Sequence, residues 1–120
     1  MAVDYFSNLT DLVTFKAGDI IFDAGQPGDV MYAVREGEVE IVHRGQVLEV
    51  CKPGEWFGEM ALVDGRNRAA RALARTDVTL APVSRQHFLF LVQETPTFAL
   101  QAMHRLAERV RGFNEAIGER

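Results

Sequence analysis

The stretch FGEMALVDGRNRAARALA, from Phe57 to Ala74, combines features that favour a binding loop. It begins with an aromatic residue, a glycine and a carboxylate, and continues with a short apolar run. Three arginines follow, with two alanines directly after the middle one. A β-hairpin with a solvated basic turn is the simple interpretation. The alternative is a loop folded around a small ligand that carries negative charge and several hydroxyl groups.

Backbone geometry explains how this stretch would hold an anion. Gly54 and Gly58 permit tight turns and let a ligand approach the main chain. The run EMAL suits a turn of helix, whose first N–H groups lack intrahelical partners and attract negative charge. The turn from Asp64 to Asn67 then returns an arginine opposite those amides, and its planar guanidinium suits two phosphate oxygens. Ala69 and Ala70 leave space beside the anion.

Glu59 is a carboxylate beside this expected anion site, and it would repel the ligand unless it bound another group. Carboxylates accept hydrogen bonds from sugar hydroxyls, as in dinucleotide-binding folds. An anion site, a diol acceptor and an apolar wall therefore indicate a nucleotide whose phosphate and ribose lie close together. The simpler interpretation of Glu59 and Arg68 is a surface ion pair that contributes about 0–1 kcal/mol.

The pattern along the chain predicts an α+β, mainly β, fold. Short β-leaning runs lie between the glycines of the first half of the chain, as in DIIF, VMYAV, VEIVH and VLEVC, and a further strand, VTLAPV, follows the arginine segment. This spacing indicates an eight-stranded antiparallel β-barrel or jelly roll over about residues 12–83, with a short N-terminal helix before it. Val39 and Ile41 alternate with polar residues, which is typical of a half-buried strand. The segment from His43 to Gln46 is expected to form a hairpin loop.

Two helices are predicted after the strands, over about residues 84–118. Ser84 can cap the helix RQHFLFLVQE, because its side chain can accept a hydrogen bond from a backbone N–H. Pro96 suits the first position of the next helix. That second helix carries an apolar seam with the spacing of a helix that packs against another helix: Met103, Leu106, Val110, Phe113 and Ile117.

Composition restricts the class of protein. A length of 120 residues with 48% hydrophobic and 25% charged residues suits one globular domain. Because the net charge is -4, we do not expect a broad surface that binds polyanions, and any bound anion must be held by a local site. The sequence shows neither a secretory signal pattern nor a long apolar run, so we expect a cytoplasmic protein without membrane contact. The single cysteine, Cys51, is expected to be an inert strand residue.

No residue pattern predicts catalysis. The three histidines, at positions 43, 87 and 104, lie far apart and have no metal-ligand spacing. No nucleophile–base pair, metal cluster or carboxylate dyad is recognisable. We therefore expect a binding protein, not an enzyme, without a metal or cofactor.

The run FGEMAL followed by Arg68-Ala69-Ala70 resembles the phosphate-binding cassette of the cyclic nucleotide-binding domain family, in which F-G-E-x-A-L precedes R-x-A. This family includes the catabolite activator protein and the regulatory subunits of cyclic-AMP-dependent protein kinase. The resemblance covers nearly the whole chain. FKAGDIIFDAGQPGDVMYAVREGEVEIV resembles the family's opening strands, and VSRQHFLFLVQETP resembles the hinge before its long final helix. It implies a single such domain over residues 1–120.

The resemblance also implies roles for individual residues. Glu59 would accept hydrogen bonds from the ribose 2′-hydroxyl, and Arg68 would pair with the cyclic phosphate. The implied binding residues are Phe57, Gly58, Glu59, Met60, Ala61, Arg68, Ala69, Ala70 and Asn114. Among these, Gly58, Met60, Ala61 and Ala69 would offer backbone N–H groups to the phosphate. Phe113 and Asn114 align near the purine, whereas Trp56 is expected to be a packing residue, with stacking on the base as the alternative.

Two features of the cassette leave alternatives open. Family members that prefer cyclic GMP often carry threonine or serine after the arginine, so Ala69 favours cyclic AMP, with cyclic GMP as the alternative. The family usually has a polar or β-branched residue where this chain has Arg71, and Arg66 lies upstream. A register in which Arg66 or Arg71 holds the phosphate stays open, although the spacing from Gly58 favours Arg68.

The implied function is a sensor whose C-terminal helices transmit ligand binding, by a shift between two conformational states. The resemblance implies a homodimer through the final helix and an unknown protein effector; packing of that helix on its own barrel is the alternative. No helix-turn-helix segment follows the long helix before Arg120, so direct DNA binding is not expected. The alternative function is the ligand-binding part of a transcription regulator of the catabolite activator type, or of a channel or kinase.

Overall fold

The computed structural model describes residues 5–118, with side chains through residue 115. These residues fall into two compact units that divide after Arg85. The first unit holds all the strands and a short helix, and the second holds most of two longer helices.

The first unit contains eight strands and helix α1, Glu59–Asp64. The strands, in chain order from β1 to β8, are Val13–Phe15, Ile20–Phe22, Val30–Glu36, Val39–His43, Gln46–Cys51, Trp56–Phe57, Arg71–Ala74 and Val78–Ser84. They form two four-stranded sheets, with the order β1-β8-β3-β6 in one and β2-β7-β4-β5 in the other. Every pair is antiparallel, and this arrangement confirms the predicted jelly roll.

Of the two predicted arrangements, the described strands form the jelly roll and not a closed barrel. Each sheet keeps two edge strands, and β1, β2 and β6 are only three, three and two residues long. Closure would require a staggered hydrogen-bond ladder between the edges of the sheets. Such short edge strands offer few backbone groups for that ladder, so the described strands remain two separate sheets.

The described part of the N-terminal segment differs from the predicted short helix. Residues 5–8 form a turn where a short helix was predicted, and the earlier part of that prediction, at residues 1–4, lies outside the described residues. Here Phe6 is buried, and its ring lies edge-on to Trp56 with the centroids 5.7 Å apart. Arg35 donates to the carbonyl oxygens of Phe6 and Leu9, which fixes this turn on the first unit.

Local predictions within the sheets were largely correct. Val39 and Ile41 are buried, and Glu40 between them is more exposed, as the period-2 pattern predicts. The β4–β5 hairpin has a two-residue loop, shorter than predicted, because His43 and Gln46 still pair as strand residues. Cys51 is buried at the end of β5, where its thiol donates to the carboxylate of Glu49.

The helices have the predicted bounds: α2 is Arg85–Glu94 and α3 is Pro96–Gly118. Phe88 and Phe98 pack edge to face in the second unit, with their centroids 5.5 Å apart. Two residues of the predicted seam, Met103 and Val110, are 58% and 48% exposed, whereas the side chain of Ile117 lies outside the described residues. Within the described part of the chain, neither helix is apolar and long enough to cross a bilayer.

Candidate functional site

The predicted helical turn after Gly58 is present as α1. Strand β6 ends at Phe57, and Gly58 then adopts a left-handed conformation, with φ 87°, at the N-cap of the helix. Glycine adopts this conformation without strain, whereas a side chain here would also approach Arg68 Nη1 to 2.9 Å. No side chain caps the start of α1 in the described structure. The first backbone N–H groups of α1 thus have no side-chain partner, and the helix starts close to Arg68.

The backbone of Arg68 is anchored to the loop between β2 and β3. Its N–H donates to the carbonyl oxygen of Gln26 at 2.7 Å, and its own carbonyl accepts from the N–H of Gly25 at 2.9 Å. These two bonds hold the returning segment of the cassette (residues 57–70) against a loop that lies far away in sequence. The direction of the Arg68 side chain therefore depends on tertiary structure.

The guanidinium of Arg68 is buried and bonded to neutral groups. The residue is only 7% exposed. Its Nη1 donates to the carbonyl oxygen of Gly58 at 2.9 Å, and its Nη2 donates to that of Val30 at 2.6 Å. Nε is buried and has no hydrogen-bond partner among the described residues. Since a guanidinium carries five N–H donors, further donors remain for a ligand.

This environment favours the binding of an anion beside Arg68. Burial lowers the pKa of Arg68, and the nearby Tyr32, Asp29 and Glu59 oppose that effect. Arginine nonetheless stays protonated in proteins. A buried charge is costly unless it is compensated, and the hydrogen bonds of this guanidinium to the described residues go to uncharged carbonyls. A bound anion would provide that compensation.

Glu59 lies at the start of α1 and is fully buried, with 0% of its surface exposed. A carboxylate is favourable in the first turn of a helix because it interacts with the positive end of the helix dipole. Since Glu59 and Arg68 are both buried, the simpler interpretation of an exposed surface ion pair was wrong. The cassette thus holds a buried carboxylate and a buried guanidinium in the same compact unit.

The other two arginines of the cassette region are exposed. Arg71 directs Nε and Nη2 to the carboxylate of Asp23, both at 3.1 Å, and this pair lowers the pKa of Asp23. Arg66 follows α1, and its backbone N–H donates to the side chain of Asp64. The geometry therefore distinguishes Arg68 as the buried cation of the three.

The remaining predicted residues occupy varied positions. Phe57 is fully buried, and its ring stacks on Tyr32 with the centroids 5.6 Å apart. Ala61 and Ala70 are buried, Met60 is partly buried and Ala69 is exposed. Trp56 is buried against Tyr5 and Phe6, which agrees with a packing role.

The residues expected near the purine lie in the second unit. Phe113 is partly buried and Asn114 is exposed, and both belong to α3. Asn114 belongs to the second unit and the cassette to the first, so the proximity of Asn114 to the cassette stays a prediction. Metal binding has no support within residues 5–118, where no three histidine, cysteine or acidic side chains are grouped as ligands.

Sequence reasoning missed two residues that enclose the guanidinium. The ring of Phe22 lies under Arg68, with its centroid 4.0 Å from Cζ. Gly28 makes a close approach, because a Cβ there would lie 2.6 Å from Arg68 Nε and 2.6 Å from the Cβ of Ala61. Phe22 looks like an ordinary strand residue and Gly28 like a turn glycine. No local signal marks either one, because their partners are distant in sequence.

The Gly28 contact generates a stability prediction. Gly28→Ala is expected to lower the free energy of unfolding by about 1–3 kcal/mol, as overpacking in a close-packed region does. Ala61→Gly should relieve part of that cost in the double variant, after correction for the single Ala61→Gly change. Urea unfolding measures all three variants.

Gly112→Ala provides the control for an added methyl group. A Cβ at Gly112 meets nothing within 4 Å, and the residue is helical, so this change is expected to be neutral or stabilising. Equal unfolding free energies for Gly28→Ala and Gly112→Ala would contradict the described packing at Gly28.

Comparison with known proteins gives the chain a family context. The family described as "Cyclic nucleotide-binding domain" matches residues 12–95. The chain is 39% identical over 80 residues to a cAMP-dependent protein kinase regulatory subunit of Emericella nidulans, covering 65% of this chain and 19% of that protein. It is 34% identical over 116 residues to the Cyclic AMP receptor protein of Thermus thermophilus, covering 92% of this chain and 52% of that protein.

A solved structure agrees in fold and sequence. The cAMP-bound form of the EAL enzyme Bd1971 is 33% identical with a TM-score of 0.68, covering 91% of this chain and 30% of that one. Its cGMP-bound form is 34% identical with a TM-score of 0.69, covering 88% and 30%. The chain thus spans about a fifth of the kinase regulatory subunit and about half of the receptor protein. Because the family match covers residues 12–95, which is more than half of the chain, the chain belongs to the cyclic nucleotide-binding domain family.

Proposed function

We propose that this chain is a sensor that binds cyclic AMP through the cassette and transmits binding through α2 and α3. The observation that carries the proposal is the buried Arg68 guanidinium, which lies at the start of α1 and donates to the neutral carbonyl oxygens of Gly58 and Val30. A cyclic phosphate fits this position because it carries one negative charge and presents oxygens to several donors.

In this proposal the phosphate is bound by the guanidinium and the start of the helix together. Arg68 Nε is buried and makes no hydrogen bond to the described residues, so its N–H would donate to a phosphate oxygen that reaches it. The uncapped start of α1 adds backbone N–H groups of Gly58, Met60 and Ala61, and the exposed segment at Ala69 adds another. Charge-assisted bonds of this kind are about twice as strong as neutral ones.

Glu59 would bind the ribose. Its carboxylate is buried in the first turn of α1, in the same unit as Arg68. An ionised carboxylate is an acceptor only, so it suits a 2′-hydroxyl that donates and does not suit the phosphate itself. The two opposite charges would therefore bind different parts of one compact ligand.

The choice of cyclic AMP rests on Ala69 and on the relatives. Ala69 follows Arg68 and has no hydroxyl group that could bind a guanine. The names of the matched kinase subunit and receptor protein both refer to cyclic AMP. The related EAL enzyme is solved with cAMP and with cGMP, so cyclic GMP is the competing ligand that the experiment must include.

The proposed role is regulatory, without catalysis and without a cofactor. The matched kinase subunit and receptor protein are named as regulatory or receptor proteins, and the cassette offers no group that would activate water for hydrolysis. Binding can transmit a signal only if the ligand has different affinities for two conformational states. The output is proposed to be an altered surface for a protein effector.

Calorimetric titration with cyclic AMP and cyclic GMP tests the proposal directly. We expect saturable binding of both, with the lower Kd for cyclic AMP. Arg68→Ala should weaken cyclic AMP binding by about tenfold to a hundredfold, because a hydrogen bond to a charged group contributes about 1.5–3 kcal/mol. Thermal unfolding checks that the variant is folded.

Arg71→Ala is the matched control for this variant. It also removes one guanidinium from the region, but Arg71 is exposed and bonded to Asp23, so the affinity for cyclic AMP should stay unchanged. Unchanged affinity in a folded Arg68→Ala protein, or equal losses in both variants, would contradict the assignment of Arg68.

The role of Glu59 predicts a change in ribose discrimination. Glu59→Gln keeps the size of the side chain but removes its charge. The wild type should bind cyclic AMP about ten to a hundred times more tightly than 2′-deoxy cyclic AMP, and the variant should lose most of that difference. Titration of both proteins with both ligands measures this cycle. An equal loss of affinity for the two ligands would indicate that Glu59 does not bind the 2′-hydroxyl.

A homodimer through α3 is the second part of the proposal. Leu100, Met103 and Val110 are exposed and are spaced so that they share one side of the helix. Apolar residues repeated at this spacing favour packing against a second helix. The same helix of a second copy would present the same residues, as two-fold symmetry requires.

The mass in solution tests the dimer, with and without cyclic AMP. We expect twice the mass of the chain for the wild type, and the monomer mass for the double variant Met103→Glu/Val110→Glu. Gln101→Glu, a change at another exposed position of the same helix, should leave the mass unchanged. A wild type that is monomeric in both conditions would disprove this part of the proposal.

A further inference from the structure

We infer that Phe22 is a positioning residue for the phosphate site: its ring is an aromatic platform that orders the guanidinium of Arg68. This inference rests on the proposed function of Arg68 and adds to it a residue outside the cassette. It follows from the contacts of one ring and one cation in the first unit.

The contact has the geometry of a cation–π interaction. Arg68 Cζ lies 4.0 Å from the centroid of the Phe22 ring, well inside the range of about 6 Å for such contacts. The ring also adjoins Gly58, since a Cβ at Gly58 would lie 3.4 Å from Phe22 Cε2 and 2.9 Å from Arg68 Nη1. The aromatic ring, the start of α1 and the guanidinium therefore adjoin one another.

The ring is itself held in place. Phe22 ends β2 and pairs with Ala72 of β7. Its ring stacks on Tyr32 at 6.4 Å with an interplanar angle of 28°, and contacts Phe57 at 5.9 Å and 43°. These two residues belong to β3 and β6 of the other sheet. Strands β3, β6 and β7, which come from both sheets, thus hold the Phe22 ring in place under Arg68.

The electrostatics of the site give the ring an effect beyond packing. The negative face of an aromatic ring attracts a cation, and this attraction is larger when the cation is removed from water. Arg68 is buried, and burial lowers its pKa. Its hydrogen bonds to the described residues go to two neutral carbonyls, so the ring supplies part of the compensation for the charge, beside the nearby Asp29 and Glu59.

The ring and a phosphate would contact different parts of the guanidinium. The ring attracts the flat face of the group, whereas N–H donors lie in its plane. Nε is buried and makes no bond to the described residues, so an in-plane donor remains for the ligand. Because the ring orders the guanidinium before binding, less conformational freedom is lost when the phosphate arrives. An aliphatic residue at position 22 would fill space without this attraction.

Graded fluorination of the ring separates electrostatic attraction from packing. Mono-, di-, tri- and pentafluorinated phenylalanine, placed at position 22 of the full chain, keep the ring's shape while weakening its negative face. We expect the affinity for cyclic AMP, measured by calorimetry, to fall stepwise with fluorine number, by about twofold to thirtyfold over the series. Phe22→Leu should lose a similar amount. A flat series, or affinity that rises with fluorination, would overturn the inference.

A second readout keeps the test independent of ligand binding. The unfolding midpoint of the ligand-free protein should fall along the same series, and the trend should vanish in an Arg68→Ala background, where there is no cation to attract. The same analogues at Phe15 are the control, since the described residues place no guanidinium over that ring. A trend that persists in Arg68→Ala, or that is equal at Phe15, would show a packing effect and overturn the inference.

The two proposals fail in different ways. If the wild-type chain binds neither cyclic nucleotide, the proposed function fails, and the unfolding series still reports on the Phe22–Arg68 contact. If the wild type binds and Arg68→Ala weakens binding while the fluorinated series is flat, only the role of Phe22 is wrong.

Discussion

Keeping the guanidinium of Arg68 in the protein interior requires several parts of the chain to meet at one point. A charged group loses its hydration on burial, and that loss must be offset locally. Part of that offset comes from the carbonyl oxygens of Gly58 and Val30 and from the ring of Phe22. Gly58 follows β6, whereas Val30 begins β3 and Phe22 ends β2, and these last two residues are distant in sequence from Arg68. The position of this one cation therefore depends on the correct pairing of both sheets.

The sheets provide this arrangement through their connections. Strands β2 and β3 lie in different sheets, and the loop that joins them bonds the backbone of Arg68 at Gly25 and Gln26. The same loop brings Gly28 against the guanidinium, where a side chain would collide with Nε. The loop thus sets both the direction of the side chain and the space around it. Displacement of this loop would change the site without altering any cassette residue.

The site combines two buried side chains of opposite charge. Glu59 and Arg68 are both buried, and each suits a different part of a ligand that carries a phosphate beside a diol. A buried charge interacts more strongly with a ligand than an exposed one, because water screens it less. The exposed Arg71, bonded to Asp23, shows the contrasting case of a cation already compensated within the protein. In the proposed sensor, ligand binding would supply to Arg68 the counter-charge that Arg71 already has.

The sequence by itself determined the elements whose signals are local. Period-2 apolar residues indicated β4, the glycine before EMAL indicated α1, and Ser84 and Pro96 marked the bounds of α2 and α3. The FGEMAL and R-x-A motifs identified the family, and the roles of the cassette residues and the single-domain organisation stay predictions. Only the tertiary structure decided that the two sheets stay unclosed, that Arg68 rather than Arg66 or Arg71 is buried, and that Phe22 and Gly28 enclose it. The physical reason is that propensity and capping act over a few residues, whereas burial and close contact depend on which distant strands pack together.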